Sequence, residues 1–119
     1  MNRARRAYSD GAYEAAWLLT MPPNDHHEAV LHGRAAANFL PHGEAARVAQ
    51  EMSKRFPLTP TLHLLEGAIL SGLGRDEDAI RALRRAVYLD GSGLVARTML
   101  GELLRRSQRD PGGEGPSWP

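Results

Sequence analysis

The residues best suited to chemistry gather in one short stretch, His26, His27, Glu28 and His32. Imidazole and carboxylate are both metal ligands, and Glu28 and His32, four apart, share a face if the stretch is helical. The order is not the HExxH arrangement, in which two histidines one turn apart hold zinc, and spacing places no third ligand. No metal site is therefore expected. His42 falls in a predicted turn and His63 inside a predicted apolar helix, both structural positions. The clusters GLGR at 72–75 and GSG at 91–93 lack the GxGxxG spacing of a phosphate-cradling loop and read as helix-terminus turns. Ser71, Ser92 and Ser107 have no strand–turn–helix setting that would make a nucleophile. The carboxylates read as solvated, with Glu77 and Arg81 as an ordinary i, i+4 helix pair. The sequence thus predicts no catalytic residue, no cofactor and no metal, which leaves a binding surface to be considered.

Composition narrows the partners of such a surface. The 119 residues carry a formal charge of +1, which is too balanced for a protein built to neutralise nucleic-acid phosphates. Apolar residues make up 42%, enough for a modest single-domain core, and cysteine is absent, so no disulfide framework exists. No apolar run approaches the length needed to insert into or span a membrane. Arg3, Arg5 and Arg6 are followed by Asp10 and Glu14, which is not a signal-peptide pattern, and the expected location is cytoplasmic.

The elements that would position a binding surface are amphipathic helices. In Pro60–Asp90, Leu62, Leu65, Ile69 and Leu73 form one apolar stripe, with Thr59 as the predicted cap and Pro60 at the opening position. Gly72 and Gly74 stop this helix. Asp76 is the predicted cap of a second helix, on which Ala79, Leu83 and Ala86 share a face. Asp25 with Glu28 forms a capping box for a helix over 25–39, Pro41 and Gly43 make a turn, and a helix follows over Gly43–Phe56. Leu94–Ser107 is the last helix, with Val95, Met99, Leu100, Leu103 and Leu104 as its apolar face. Near the start, a short helix is expected over Ala12–Met21, stopped by Pro22 and Pro23, after a fragmentary one over Arg3–Tyr8. Tyr13 and Trp17 seal that end of the core. The closing stretch 110–119, rich in Gly and Pro, is expected to be disordered.

These elements repeat. Gly33, Gly67 and Gly101 are each 34 residues apart, Ala45 and Ala79 match at the same period, and Pro57 aligns with Gly91. This pattern resembles the tetratricopeptide repeat (TPR), a helix–turn–helix unit of that length. Departures are His63 for a tryptophan, Glu66 for a leucine and Gly91 for a proline. The resemblance implies an all-α antiparallel solenoid of about seven helices. Its parts would be a partial repeat over 1–25, full repeats over 26–59 and 60–93, and the first helix of another over 94–107. The incomplete ends suggest a piece of a longer protein.

Successive first helices of TPR arrays line a concave groove. Carried over position by position, the groove residues are His27, Val30, Arg34 and Ala37 in one repeat. Thr61, Leu64, Ala68 and Ser71 follow in the next, then Val95, Thr98, Glu102 and Arg105. The expected ligand is a peptide or helix with an apolar centre, an acidic group toward Arg34 and a basic one toward Glu102. The Lys and Asn set with which chaperone-binding TPRs clamp a C-terminal carboxylate is missing. A narrower resemblance lies in ALRRAVYLD…LVARTMLGELLRR, over roughly Arg75–Arg106, which is similar to the C-terminal TPR segment of CheR-type chemotaxis receptor methyltransferases. It implies a regulatory or docking domain of such an enzyme, whose S-adenosylmethionine-dependent catalytic domain is not in this sequence. The alternative is a free-standing TPR adaptor or secretion-type chaperone.

Overall fold

The computed structural model describes residues 2–109, and among these it contains helices and no strand. The helices are α1 Asn2–Ser9, α2 Tyr13–Leu19, α3 His26–Phe39, α4 His42–Arg55, α5 Pro60–Gly72, α6 Asp76–Leu89 and α7 Leu94–Arg109. The stretch 110–119, expected to be disordered, lies outside the described residues.

Local chemistry explains most boundaries and corrects three. Asp25 Oδ1 accepts the Glu28 amide at 2.9 Å and starts α3 as expected, while Glu28 reaches back to the amide of Asn24 at 2.9 Å. At the start of α5, Thr59 occupies the cap position without a side-chain bond, and Pro60, which has no N–H to satisfy, opens the helix instead. Asp76 is not a cap: Arg75 holds that position, and Asp76 is the first helical residue. Its carboxylate is turned to Arg106 of α7 at 3.0 Å, tying α6 to α7. Arg81 pairs with Asp78 rather than Glu77, and the Arg75 guanidinium, bonded to Asp78 from the other side, holds that half-exposed carboxyl below the usual range. The end of α5 is a Schellman turn in which Gly74, at φ +78°, donates to Ser71, and Arg75 donates to Leu70. The second helix is shorter than expected because the Thr20 hydroxyl bonds the carbonyls of Ala16 and Trp17 and closes its last turn ahead of the prolines.

Packing follows the period of small residues. Each helix packs on its sequence neighbours, and α3 touches α1 and α5, as α5 touches α7. The helices that alternate with them behave differently: α4 approaches neither α2 nor α6. The stack is therefore tight along α1, α3, α5 and α7 and splayed on its other side. The core is built from Ala45, Ala46 and Ala49 of α4, Ile69 and Leu70 of α5, Ala79 and Leu83 of α6, and Leu103 of α7. On α7 the buried line differs from the expected one. Ala96 is buried, whereas Val95 is 60% exposed, because the face toward α6 begins one residue later.

The glycines of the repeat do different things. A Cβ on Gly67 would lie 2.6 Å from Leu83 Cγ and 3.3 Å from the Ala79 carbonyl, inside the α5–α6 contact. One on Gly33 would meet side-chain ends alone, Leu65 Cδ2 at 2.8 Å and Leu62 Cδ2 at 3.9 Å, and one on Gly101 would meet nothing within 4 Å. Gly67→Ala should therefore lose stability, since overpacking of about 1–3 kcal/mol outweighs the roughly 0.5–1 kcal/mol that alanine gains in a helix. Gly101→Ala should be neutral or stabilising. Thermal melting of the two variants checks this: equal shifts would mean that the α5–α6 approach is not tight.

Candidate functional site

The first helices of the pairs, together with α1, enclose a trough made of two clefts that meet at Pro60 and Thr61. The larger, of ≈ 550 Å³, lies between α1, α3 and the start of α5. Arg5 and Tyr8 come from α1, and His27, Val30 and Arg34 from successive turns of α3, where spacings of three and four residues put them on one face. The smaller, of ≈ 200 Å³, lies between α5 and α7 and is mostly apolar, with Leu64, Ala86, Leu94 and Val95 on its walls. Leu94 and Val95 are 72% and 60% exposed, so a hydrophobic shelf faces solvent at this end.

Among the predicted groove residues, the structure brings His27, Val30, Arg34 and Thr61 together in the first cleft, and Thr61, Leu64 and Val95 in the second. Ala37, Ala68 and Ser71 are half-buried and line neither. Thr98, Glu102 and Arg105 are exposed on α7 beyond the trough, and Glu102 is bonded to Arg105 at 2.8 Å within its own helix. Among the described residues, Arg5 and Arg34 have no ion-pair partner, so two guanidiniums stand at one end of the trough and an apolar shelf at the other. No group of three or more His, Cys, Asp or Glu side chains that could hold a metal converges among the described residues.

No protein-family model matches the chain, and no curated protein matches it significantly. Solved structures do. The Sgt2 TPR domain of Aspergillus fumigatus superposes with a TM-score of 0.79 at 16% identity, over 99% of this chain and 83% of that one. The first TPR of Spaghetti (RPAP3), bound to the HSP90 peptide SRMEEVD, gives 0.78 at 14% identity over 89% of this chain and 88% of that one. The first TPR domain of human RPAP3 gives 0.78 at 13% identity, over 94% and 92%. The fold is that of a TPR domain. At such identities the likeness is one of fold, and the chemistry of the trough has to be argued from this chain's own residues.

Two features of this fold are not visible in the period of the sequence. The contribution of Arg5 and Tyr8 to the trough escapes it because Ala16 and Ala45 are only 29 residues apart, so α1 carries no repeat register; the only signal is their i, i+3 spacing. Nor do all carboxylates lie on solvated faces: Glu66 is 6% exposed, bonded to Ser53 at 2.8 Å. His42, expected in a turn, instead opens α4 and is exposed.

His32 is structural. Buried between α2 and α3, it stacks on Trp17 with 5.3 Å between ring centroids, and its Nδ1 lies 3.1 Å from the Trp17 carbonyl and 2.9 Å from Thr20 Oγ1. The carbonyl only accepts, which assigns the proton to Nδ1. Tyr13 packs edge-on to Tyr8, and Trp17 edge-on to Phe39, so both aromatics seal this end. Burial pushes the His32 pKa below its ordinary value, opposed by the Trp17 carbonyl bond and assisted by Arg55. The unfolded chain therefore binds the proton more readily. The stability contributed is complete above the unfolded value, near 6.5, and is lost as pH falls through it toward the lowered folded value. The parent should melt at lower temperature at pH 5 than at pH 8, and His32→Gln should flatten that difference. Parallel pH dependences of parent and variant would remove His32 as the cause.

Proposed function

We propose that this TPR domain is a protein–protein interaction module that holds a peptide along the trough. An acidic group of the peptide sits at Arg5 and Arg34, and its apolar side chains lie over Val30, Leu64 and Val95. The carrying observation is the pair of guanidiniums, without an ion-pair partner among the described residues, at the end of a cleft that continues onto an apolar shelf. Guanidinium matches carboxylate in a bidentate fork, and a charged bond in a partly enclosed cleft is worth more than one on open surface. The Spaghetti domain of the same fold is bound to SRMEEVD, whose end is acidic, which supports a ligand of that charge here. Glu102, paired with Arg105 on the exposed face of α7, lies beyond both clefts of the trough, so selectivity comes from the arginine end. The missing Lys and Asn set distinguishes this mode from a chaperone-tail clamp.

The finer context we propose is the docking domain of a chemotaxis-type protein methyltransferase, in the cytoplasm. It is supported by the run over Arg75–Arg106, which forms α6 and α7. A methyltransferase domain in the same reading frame would be the corresponding finding; a frame without one favours the adaptor reading. In either context this chain is not itself the catalyst.

Binding to an array of peptides that share an apolar centre and differ in terminal charge tests the trough. Acidic members should be retained. Arg34→Glu should weaken them about tenfold or more, the scale of a lost charge-assisted bond, while Arg84→Glu on the exposed side of α6 should not. Retention independent of charge, or loss with Arg84→Glu alone, would refute the assignment.

A further inference from the structure

A third cleft, of ≈ 560 Å³, opens on the other side of α5 from the trough. It lies where the backbones of α4 and α6 do not approach closely, leaving a gap between them whose floor is α5. His63 and Glu66 form that floor; each is two residues from a trough position, Thr61 or Leu64, and so lies on the opposite side of a helix with 3.6 residues per turn. Ser53 and Lys54 of α4 form one wall and Arg85 of α6 the other.

The floor carries two adjacent acceptors, with His63 Nδ1 4.0 Å from Glu66 Oε1. His63 is 3% exposed; its Nε2–H donates to the Pro57 carbonyl at 2.7 Å, which leaves Nδ1 as an acceptor. Glu66 Oε1 accepts the Ser53 hydroxyl at 2.8 Å, and every hydrogen bond of this carboxylate among the described residues runs to Oε1. A buried carboxylate is costly unless its oxygens are bonded and its charge is paired. The pairing cation is Arg85, and its geometry is loose: Nη2 stands 3.5 Å from Glu66 Oε1, Nε stands 3.3 Å from His63 Nδ1, and the side chain is 49% exposed. Apolar residues at 63 and 66 would have packed α5 against α4 without desolvating a charge. The molecule thus sets out a carboxylate and an imidazole acceptor for a guanidinium, and covers them with its own Arg85 at the limit of bonding distance.

We propose that this cleft is a second docking site, which takes an arginine side chain of a partner protein against Glu66 while Arg85 yields its place. A guanidinium fits better than an ammonium because its planar fork can engage the free carboxylate oxygen and a second acceptor together. A protein fits better than a small solute because Leu58, beside Pro57 at the rim, is 79% exposed and offers apolar contact to residues flanking the arginine. Lys54 at the rim is exposed, so solvent screens its repulsion.

Nuclear magnetic resonance titration tests this with N-acetyl-arginine amide, its uncharged N-acetyl-citrulline analogue and inorganic phosphate. The arginine probe should shift the amides of Ser53, His63, Glu66 and Arg85 saturably, and the other two should not. Glu66→Gln should weaken the arginine probe about tenfold, as expected for one charged hydrogen bond. Arg85→Ala, a change at a half-exposed side chain, should tighten it several-fold by removing the incumbent. An equal response to citrulline, a response to phosphate instead, weaker binding in Arg85→Ala, or no shift in either parent or Arg85→Ala would each overturn the proposal. If Glu66→Gln fails to fold, the citrulline comparison and Arg85→Ala still decide.

Discussion

The close approach of α5 and α6 is the constraint on which the rest depends. Leu83 is fully buried, and its Cγ stands where a Cβ on Gly67 would collide, with the Ala79 carbonyl behind it. Two helix backbones can lie this close only if one side of the contact is glycine and its neighbours are small. Ala79, Ala82 and Ala86 supply those small neighbours, all buried. With the pair fixed, the residues of α5 that point away from α6 are committed to one of two sides.

Those sides have different consequences. Toward α3 and α7 the neighbouring helices touch, and the surface between them is a shallow trough with walls set at successive turns. Toward α4 and α6 the helices part, and the gap exposes a floor. One 13-residue helix therefore contributes Thr61 and Leu64 to one cleft and His63 and Glu66 to another. If both clefts bind as proposed, two partners, or two segments of one, are held on opposite sides of α5 without competing. The floor buries a carboxylate where an apolar residue would carry no desolvation cost, and that is the physical reason to propose a ligand for it.

How much of this is legible in the sequence depends on whether the feature is periodic. The 34-residue spacing of Gly33, Gly67 and Gly101 carries the helix pairing and the shared face of His27, Val30 and Arg34. It does not carry Arg5 and Tyr8, because the prolines after α2 shorten the first unit and break the register. Nor does it tell Gly101, which faces open space, from Gly67, which is clasped. A glycine's role depends on whether a helix is packed against it, and residue type does not record that. Glu66 reads as solvated because carboxylates usually are; its burial follows from the Ser53 hydroxyl of α4 and Arg85 of α6, 13 and 19 residues away. Val95 reads both as part of the apolar face and as a groove residue; only the second holds, because the buried face of α7 begins one residue later. Asp76 has the composition of a cap, yet its carboxylate is drawn to Arg106, a tertiary bond that outcompetes a local one.

The contact between Gly67 and Leu83 can be measured directly by a double-mutant cycle in which Gly67→Ala and Leu83→Ala are made singly and together. Removing Leu83 beyond Cβ takes away the atoms that an alanine at 67 would strike. The account predicts strong coupling: Gly67→Ala, destabilising alone, becomes neutral or stabilising in the Leu83→Ala background, a coupling energy of at least about 1 kcal/mol. Additive effects of the two changes would mean that the α5–α6 interface does not rest on this contact, and the placement of both clefts around α5 would lose its foundation.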